Sequence, residues 1–294
     1  MLNRCTAVPV GLLLITAALA TTPASTAAKT LRFTAIPDHD ATELQQKYDP
    51  VAEYLGERLG IDVDYVAAAD YQASVEMFKN GDVHLAWFGG LTGVQARQAV
   101  AGARAIAQGV EDPKYYSYFI AHRSTGLERS EEFPAAIASL PFSFGSESST
   151  SGRLMPEFFI REHSGKPAGE FFSHAPGFSG SHPKTAELVA DGTRIKAGVL
   201  NYKTYDGMVA GGKIDPEVCR VIWKTPYYAD YNFTAHPELE EMFGPGFIDR
   251  LQRALVELDD PQLLAAFQRS DLIAATNEEF EGIAKVAREL GMLR

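Results

Sequence analysis

Ser146-Glu147-Ser148-Ser149-Thr150-Ser151-Gly152 follows the apolar run Pro141-Phe142-Ser143-Phe144-Gly145. The pattern predicts a short strand, a hydroxyl-rich turn and a helix-like segment from Arg153 to Ser164. The first turn of a helix leaves backbone N–H groups without partners and carries a partial positive charge. Hydroxyls beside those N–H groups add further donors. Such a place can hold a small anion without Lys or Arg. The competing reading of Ser149, Thr150 and Ser151 is simple N-capping, a role Ser and Thr fill in many helices. Other helix starts carry the same chemistry: Asp70-Tyr71, Gly89-Gly90-Leu91-Thr92 and Ser181-His182. If these starts face one another, their dipoles converge on one oxyanion.

The elements that must position them alternate. Strand-like Leu31 to Ile36, Ile61 to Val66 and Val83 to Phe88 are interleaved with helix-like Asp49 to Leu59, Tyr71 to Asn80 and Leu91 to Val100. Ala103 to Val110 and Tyr115 to His122 read as further strands. A second alternation begins at Phe142 to Gly145. It continues through the helix after it, a strand at Phe171 to His174, a helix at Pro183 to Ala190, and a strand at Ile195 to Leu200. A helical stretch near Thr204 to Val209 and a strand at Val218 to Trp223 complete it. The tail is helical. This is an α/β pattern with mainly parallel sheet. The second alternation is inserted into the first, which predicts two lobes: residues 29–123 plus 225–294, and residues 124–224. Two crossings, near His122 to Ser124 and near Lys224 to Tyr227, would hinge a cleft. A single larger α/β domain is the alternative.

Residues 1–28 precede the fold. Arg4 gives a positive start, Val8 to Leu19 is apolar, and small residues run to Ala28, the pattern of a signal peptide. The apolar run is short for a membrane span. Arg4 is the one charge in this stretch, so its removal takes the formal net charge from −11 to −12. So acidic a chain is a poor nucleic-acid binder, and any anion site in it must be local and built from oriented dipoles. Cys5 leaves with the leader. Cys219 remains alone, so no internal disulfide is expected. The seven His residues are scattered, and no metal or cofactor site is predicted.

Ser149-Thr150-Ser151-Gly152-Arg153-Leu154-Met155-Pro156, Phe178-Ser179-Gly180-Ser181-His182, Ile195-Lys196-Ala197-Gly198-Val199-Leu200-Asn201 and Ala86-Trp87-Phe88-Gly89-Gly90 resemble, in order, the periplasmic substrate-binding proteins of phosphonate- and phosphite-type ABC transporters. Phe144-Gly145-Ser146-Glu147-Ser148 and Tyr231-Asn232-Phe233-Thr234 are similar to a branch of that family described as selenate-binding. The resemblance implies a type II-like two-lobe binding protein with a ligand cleft between the lobes. It implies a soluble, monomeric periplasmic receptor that binds a small oxyanion, delivers it to a membrane permease, and performs no catalysis. It implies that Ser149, Thr150 and Ser151 donate to ligand oxygens, that Tyr71 places a phenol at the cleft, and that His182 donates as a neutral imidazole. It also implies that Tyr116 or Tyr118 forms a cleft wall. The other readings are a helix-start histidine pointing at water and strand tyrosines facing the core.

Two departures stand out. Relatives commonly carry an aromatic ring where this chain has Gly93, so a donor is lost and space is expected. They often carry an Asp where this chain has Asn201. An amide donor there favours an anion without a proton, such as selenate or sulfate, unless Asp206 restores an acceptor. An enzyme with a serine nucleophile and His182 as base is a rival, but the Gly-x-Ser-x-Gly elbow is absent. A receptor for a membrane sensor and a binder of a larger organic ligand remain as alternatives.

Overall fold

The structure is a computed structural model. It describes residues 1–2, 29–38 and 41–293, so nearly all of the expected leader lies outside the described residues. The chain begins with β1 (Thr30–Ala35), α1 (Ala41–Leu59), β2 (Asp62–Tyr65), α2 (Tyr71–Lys79), β3 (Leu85–Phe88), α3 (Gly90–Ala99) and β4 (Arg104–Gly109). It then crosses to a second layer: β5 (Ser117–His122), β6 (Phe142–Phe144), α4 (Met155–Ser164), α5 (Ala168–Phe171), β7 (Gly177–Phe178), α6 (His182–Asp191), β8 (Ala197–Asn201), α7 (Tyr202–Ala210) and β9 (Cys219–Lys224). It returns with β10 (Asn232–Ala235), α8 (Glu238–Phe243), α9 (Phe247–Val256), α10 (Pro261–Ala266), β11 (Leu272–Ala274) and α11 (Glu281–Glu289).

Two mixed sheets result. One is ordered β11-β4-β10-β3-β1-β2 and the other β7-β6-β8-β5-β9. All four residues of β3 are buried, as expected for a strand covered on both faces. β10 lies between β3 and β4, antiparallel to both. The return of the chain into the middle of the first sheet is what divides the molecule into two lobes with two crossings. β10 is only four residues long, and all four are buried, polar Asn232 and Thr234 as well as Phe233 and Ala235. Those polar side chains are satisfied inside: Arg97 Nη1 donates to Asn232 Oδ1 at 2.9 Å and to Thr234 Oγ1 at 2.8 Å.

Two expectations are corrected. β5 pairs antiparallel with β8 and β9, so it belongs to the second sheet. The first crossing is therefore residues 110–116, ahead of the strand rather than at His122 to Ser124. The two crossings pair with each other there: Tyr115 N–H donates to the Tyr228 carbonyl at 2.9 Å and Tyr228 N–H to the Tyr115 carbonyl at 3.0 Å. The strand expected at Phe171 to His174 is instead the last residue of α5 followed by a bend. Phe172 buries its ring against Phe142, with centroids 4.6 Å apart, and the paired strand begins at Gly177.

Candidate binding site

The hydroxyl turn is shaped by a proline five residues after it ends its strand-to-helix approach. Pro156 has no N–H, so the Gly152 carbonyl receives no helical donor. It accepts the Gly145 N–H instead, at 2.9 Å. The first turn, Thr150–Leu154, opens into a π-helix: Leu154 N–H reaches the Ser149 carbonyl at 3.0 Å and Met155 N–H the Thr150 carbonyl. This register frees the Ser151 carbonyl, which accepts the Ser117 hydroxyl at 2.6 Å. Such π turns concentrate at functional sites. Ser149 does act as the cap, its Oγ accepting the Gly152 N–H at 2.9 Å.

Thr150 reaches across to the other lobe. Its Oγ1 accepts the Leu91 N–H at the start of α3, at 2.9 Å. The neighbouring Gly90 N–H donates to Asp230 Oδ1, also at 2.9 Å. α3 has no side-chain cap of its own, since Gly89 stands at that position. A Cβ on Gly89 would lie 3.2 Å from Thr150 Oγ1 and 3.3 Å from Asp230 Oδ1, so glycine keeps this approach open.

His182 begins α6 behind the capping Ser181 and is buried. Asn201 N–H donates to its Nδ1 at 3.4 Å, so Nδ1 is the acceptor nitrogen and Nε2 carries the proton. That Nε2 stands 3.5 Å from Ser151 Oγ. Tyr71, the first residue of α2, has a buried hydroxyl with no hydrogen-bond partner. Burial, with Asp38 and Asp230 nearby, holds its phenol well above the usual range, so it remains a neutral donor. The helix starts of α2, α3, the π turn and α6 thus meet around one point. Their dipoles and hydroxyls are the donors, and none of these groups is cationic.

Asp230 is the residue that sequence reasoning missed. It lies on the second crossing, is 1 % exposed, and its Oδ2 is buried without a partner. Burial raises its carboxyl to about 7, against the Gly90 N–H and the Thr150 and Ser151 hydroxyls, which favour the ionised form. Its only sequence signal is an acid set among aromatic residues in Tyr227-Tyr228-Ala229-Asp230-Tyr231.

The other expected residues sit differently. Asn201 adjoins the site, but its Oδ1 caps α7 through the Thr204 N–H at 2.7 Å, and its Nδ2 donates to the Tyr231 hydroxyl at 3.3 Å. Tyr231 in turn donates to Asp38 Oδ2 at 3.0 Å. Asn201 therefore links the two lobes through Tyr231 and is not a free donor. Tyr116 does not join the group. Strand alternation turns Ser117 toward the π turn and Tyr116 away from it, to stack on Tyr202 at 3.9 Å under Lys224. Asp206 is exposed on α7. Gly93 leaves no space, because a Cβ there would meet Asn232 Oδ1 at 2.7 Å and Arg97 Nη1 at 2.9 Å.

Residues 33–280 match the family described as ABC transporter, phosphonate, periplasmic substrate-binding protein. The chain belongs to this family. It is 33% identical over 273 residues to the Prochlorococcus marinus (strain MIT 9301) protein named Probable ABC transporter phosphite binding protein PhnD1, covering 90% of this chain and 91% of that one. The structure of PhnD1 with methylphosphonate superposes with a TM-score of 0.84 at 32% identity, covering 90% of this chain and 98% of that chain. The Phosphate-import protein PhnD of Mycolicibacterium smegmatis is 28% identical over 284 residues, covering 90% of this chain and 84% of that protein. The fold is also that of a binding protein component of a Pseudomonas aeruginosa ABC phosphonate transporter, with a TM-score of 0.77 at 20% identity over 90% of this chain and 87% of that one. This family member is thus the solute-binding component of an ABC transporter, with a membrane permease as its partner. The family is described as periplasmic.

Proposed function

We propose that the site holds a small tetrahedral phosphorus oxyanion carrying one proton, of the phosphite or methylphosphonate kind. The observation that carries this reading is Asp230. A buried carboxylate facing the converging helix starts accepts a hydrogen bond from a protonated ligand oxygen and repels an anion that has no proton to offer. The π-turn N–H groups, the hydroxyls of Tyr71, Ser149, Thr150 and Ser151, and the Nε2 proton of His182 supply the remaining oxygens with donors. This reverses the expectation drawn from Asn201 alone, since the acceptor is present at another position. The relatives named for phosphite and methylphosphonate support the same class.

The protein acts by binding. A serine nucleophile would need His182 to be oriented by an acid on Nδ1, but that nitrogen already faces the Asn201 N–H. The leader at residues 1–28 exports the chain and is removed, and the receptor works as a monomer that passes its ligand to the permease. Calorimetry at pH 7.5 with phosphite, methylphosphonate, sulfate and selenate tests the ligand class. The phosphorus monoanions should bind at least about tenfold more tightly, since a hydrogen bond to a charged group contributes roughly 1.5–3 kcal/mol. Tighter binding of sulfate or selenate would overturn the reading.

A further inference from the structure

Ser117 opens β5 directly after the first crossing and is fully buried. Its main chain is fastened to the second crossing. The Ser117 N–H donates to Thr225 Oγ1 and the Thr225 N–H to the Ser117 carbonyl, both at 3.0 Å. Three residues further along that crossing stands Tyr228, also buried, whose backbone pairs with Tyr115 of the first crossing.

The side chains of Ser117 and Tyr228 have a fixed direction of donation. The Ser117 hydroxyl has one proton, and it goes to the Ser151 carbonyl at 2.6 Å. In its 2.5 Å contact with the Tyr228 hydroxyl, Ser117 must therefore accept and the phenol donate. Burial and the nearby Asp230 carboxyl hold that phenol well above its usual range, so its proton stays in place. The Ser151 carbonyl and the Gly152 N–H are the two ends of one peptide group, and this N–H donates to Ser149 Oγ at 2.9 Å. One buried path results: the Tyr228 hydroxyl, the Ser117 hydroxyl, the Ser151–Gly152 peptide and the Ser149 hydroxyl. Its last member stands close enough to Tyr71 of the first lobe to act on that phenol. Hydrogen bonds in series polarise one another, so a hydroxyl that already accepts is a stronger donor.

We propose that Ser117 and Tyr228 are positioning residues for ligand binding, which tie the Ser149 donor to both chain crossings and strengthen its hydrogen bond to a ligand oxygen. The proposal rests on the phosphorus-oxyanion reading of the site. Neither residue touches the ligand; both act through the peptide that holds Ser149.

The test is calorimetry of methylphosphonate on Ser117→Ala and Tyr228→Phe, each made in the wild type and in Ser149→Ala, with melting curves to establish folding. Ser117→Ala cuts the path in the middle and should weaken methylphosphonate about tenfold, whereas Tyr228→Phe removes only the first donor, keeps the ring, and should weaken it about threefold. In the Ser149→Ala background neither substitution should change the affinity by more than about 1.5-fold, because the path then has no donor at its end. Losses of the same factor in both backgrounds would make the two residues ordinary structural partners and overturn the proposal. Wild-type affinity in a folded Tyr228→Phe would overturn it as well, even where Ser117→Ala does not fold. In each of these cases the wild type still binds methylphosphonate and the ligand class stands. A wild type that does not bind methylphosphonate would overturn the ligand class and the proposal with it.

Discussion

Replacing Asp230 with Asn tests the titration and the binding role of that residue in one protein. Burial has raised the carboxyl from 3.8 to about 7. Between those values the folded chain holds a proton that the unfolded chain has released. More protons are bound in the folded state, so stability falls as pH rises through this window, and the loss is complete above about pH 7. A rise of about three units, at about 1.4 kcal/mol each, is an order-of-magnitude penalty of about 4 kcal/mol. Asn carries no charge, and its Oδ1 can keep the Gly90 N–H bond now 2.9 Å long. Without ligand, Asp230→Asn should therefore be more stable than the wild type, by on the order of 1–2 kcal/mol at pH 5 and about 4 kcal/mol at pH 8. Urea denaturation at both values measures the difference. The same substitution removes the acceptor for a protonated ligand oxygen and should weaken methylphosphonate about tenfold or more. A stability gain identical at pH 5 and pH 8 would refute the raised carboxyl. Unchanged methylphosphonate affinity would remove Asp230 from the ligand shell.

Thr150→Ala deletes a hydroxyl that accepts the Leu91 N–H across the lobes; calorimetry should show methylphosphonate weakened about tenfold, and a smaller change than threefold would assign Thr150 a capping role alone. Gly93→Ala forces a methyl to within 2.7 Å of Asn232 Oδ1; chemical denaturation should show a loss of about 1–3 kcal/mol, and a neutral result would mean that α3 has room to shift. Arg269 makes a bidentate pair with Asp112, with contacts of 2.9 and 2.6 Å, and the two side chains are 2% and 0% exposed. Arg269→Met leaves a buried carboxylate unpaired at the first crossing, so the variant should lose about 3–5 kcal/mol in the same assay. Partial recovery in the Asp112→Asn, Arg269→Met double variant would confirm that the unpaired charge is the cause.

The local signals in the sequence and the long-range ones differ in kind. Helix starts are written locally: Ser181 before His182, and Asp70 before Tyr71, announce caps that the structure contains at 3.4 and 2.7 Å. Their convergence is a property of sheet order, which pairs residues far apart in the chain. β10 shows why that order was hard to read. Four residues are too short a run for the alternation of Asn232 and Thr234 with Phe233 and Ala235 to stand out, yet the place of this strand between β3 and β4 decides where the chain returns. Without β10, the first crossing could be moved past β5 with no conflict in the pattern. Asp230 was hidden by the same gap, because it stands on the crossing that leads into β10. Pro156 shows the opposite case, a local oddity with a nonlocal effect. Its missing N–H loosens the first turn into a π-helix, and the carbonyls thus released bind Gly145 and Ser117, the latter at the start of β5. The hydroxyl turn is therefore fixed against two neighbouring segments before any ligand arrives. Asn201 completes the lesson: residue type suggested a ligand donor, but a side chain at a helix start has the N–H of its own turn as the nearer partner. Its amide goes to Thr204 and Tyr231, and the selection between proton-bearing and proton-free anions passes to the carboxylate on the crossing.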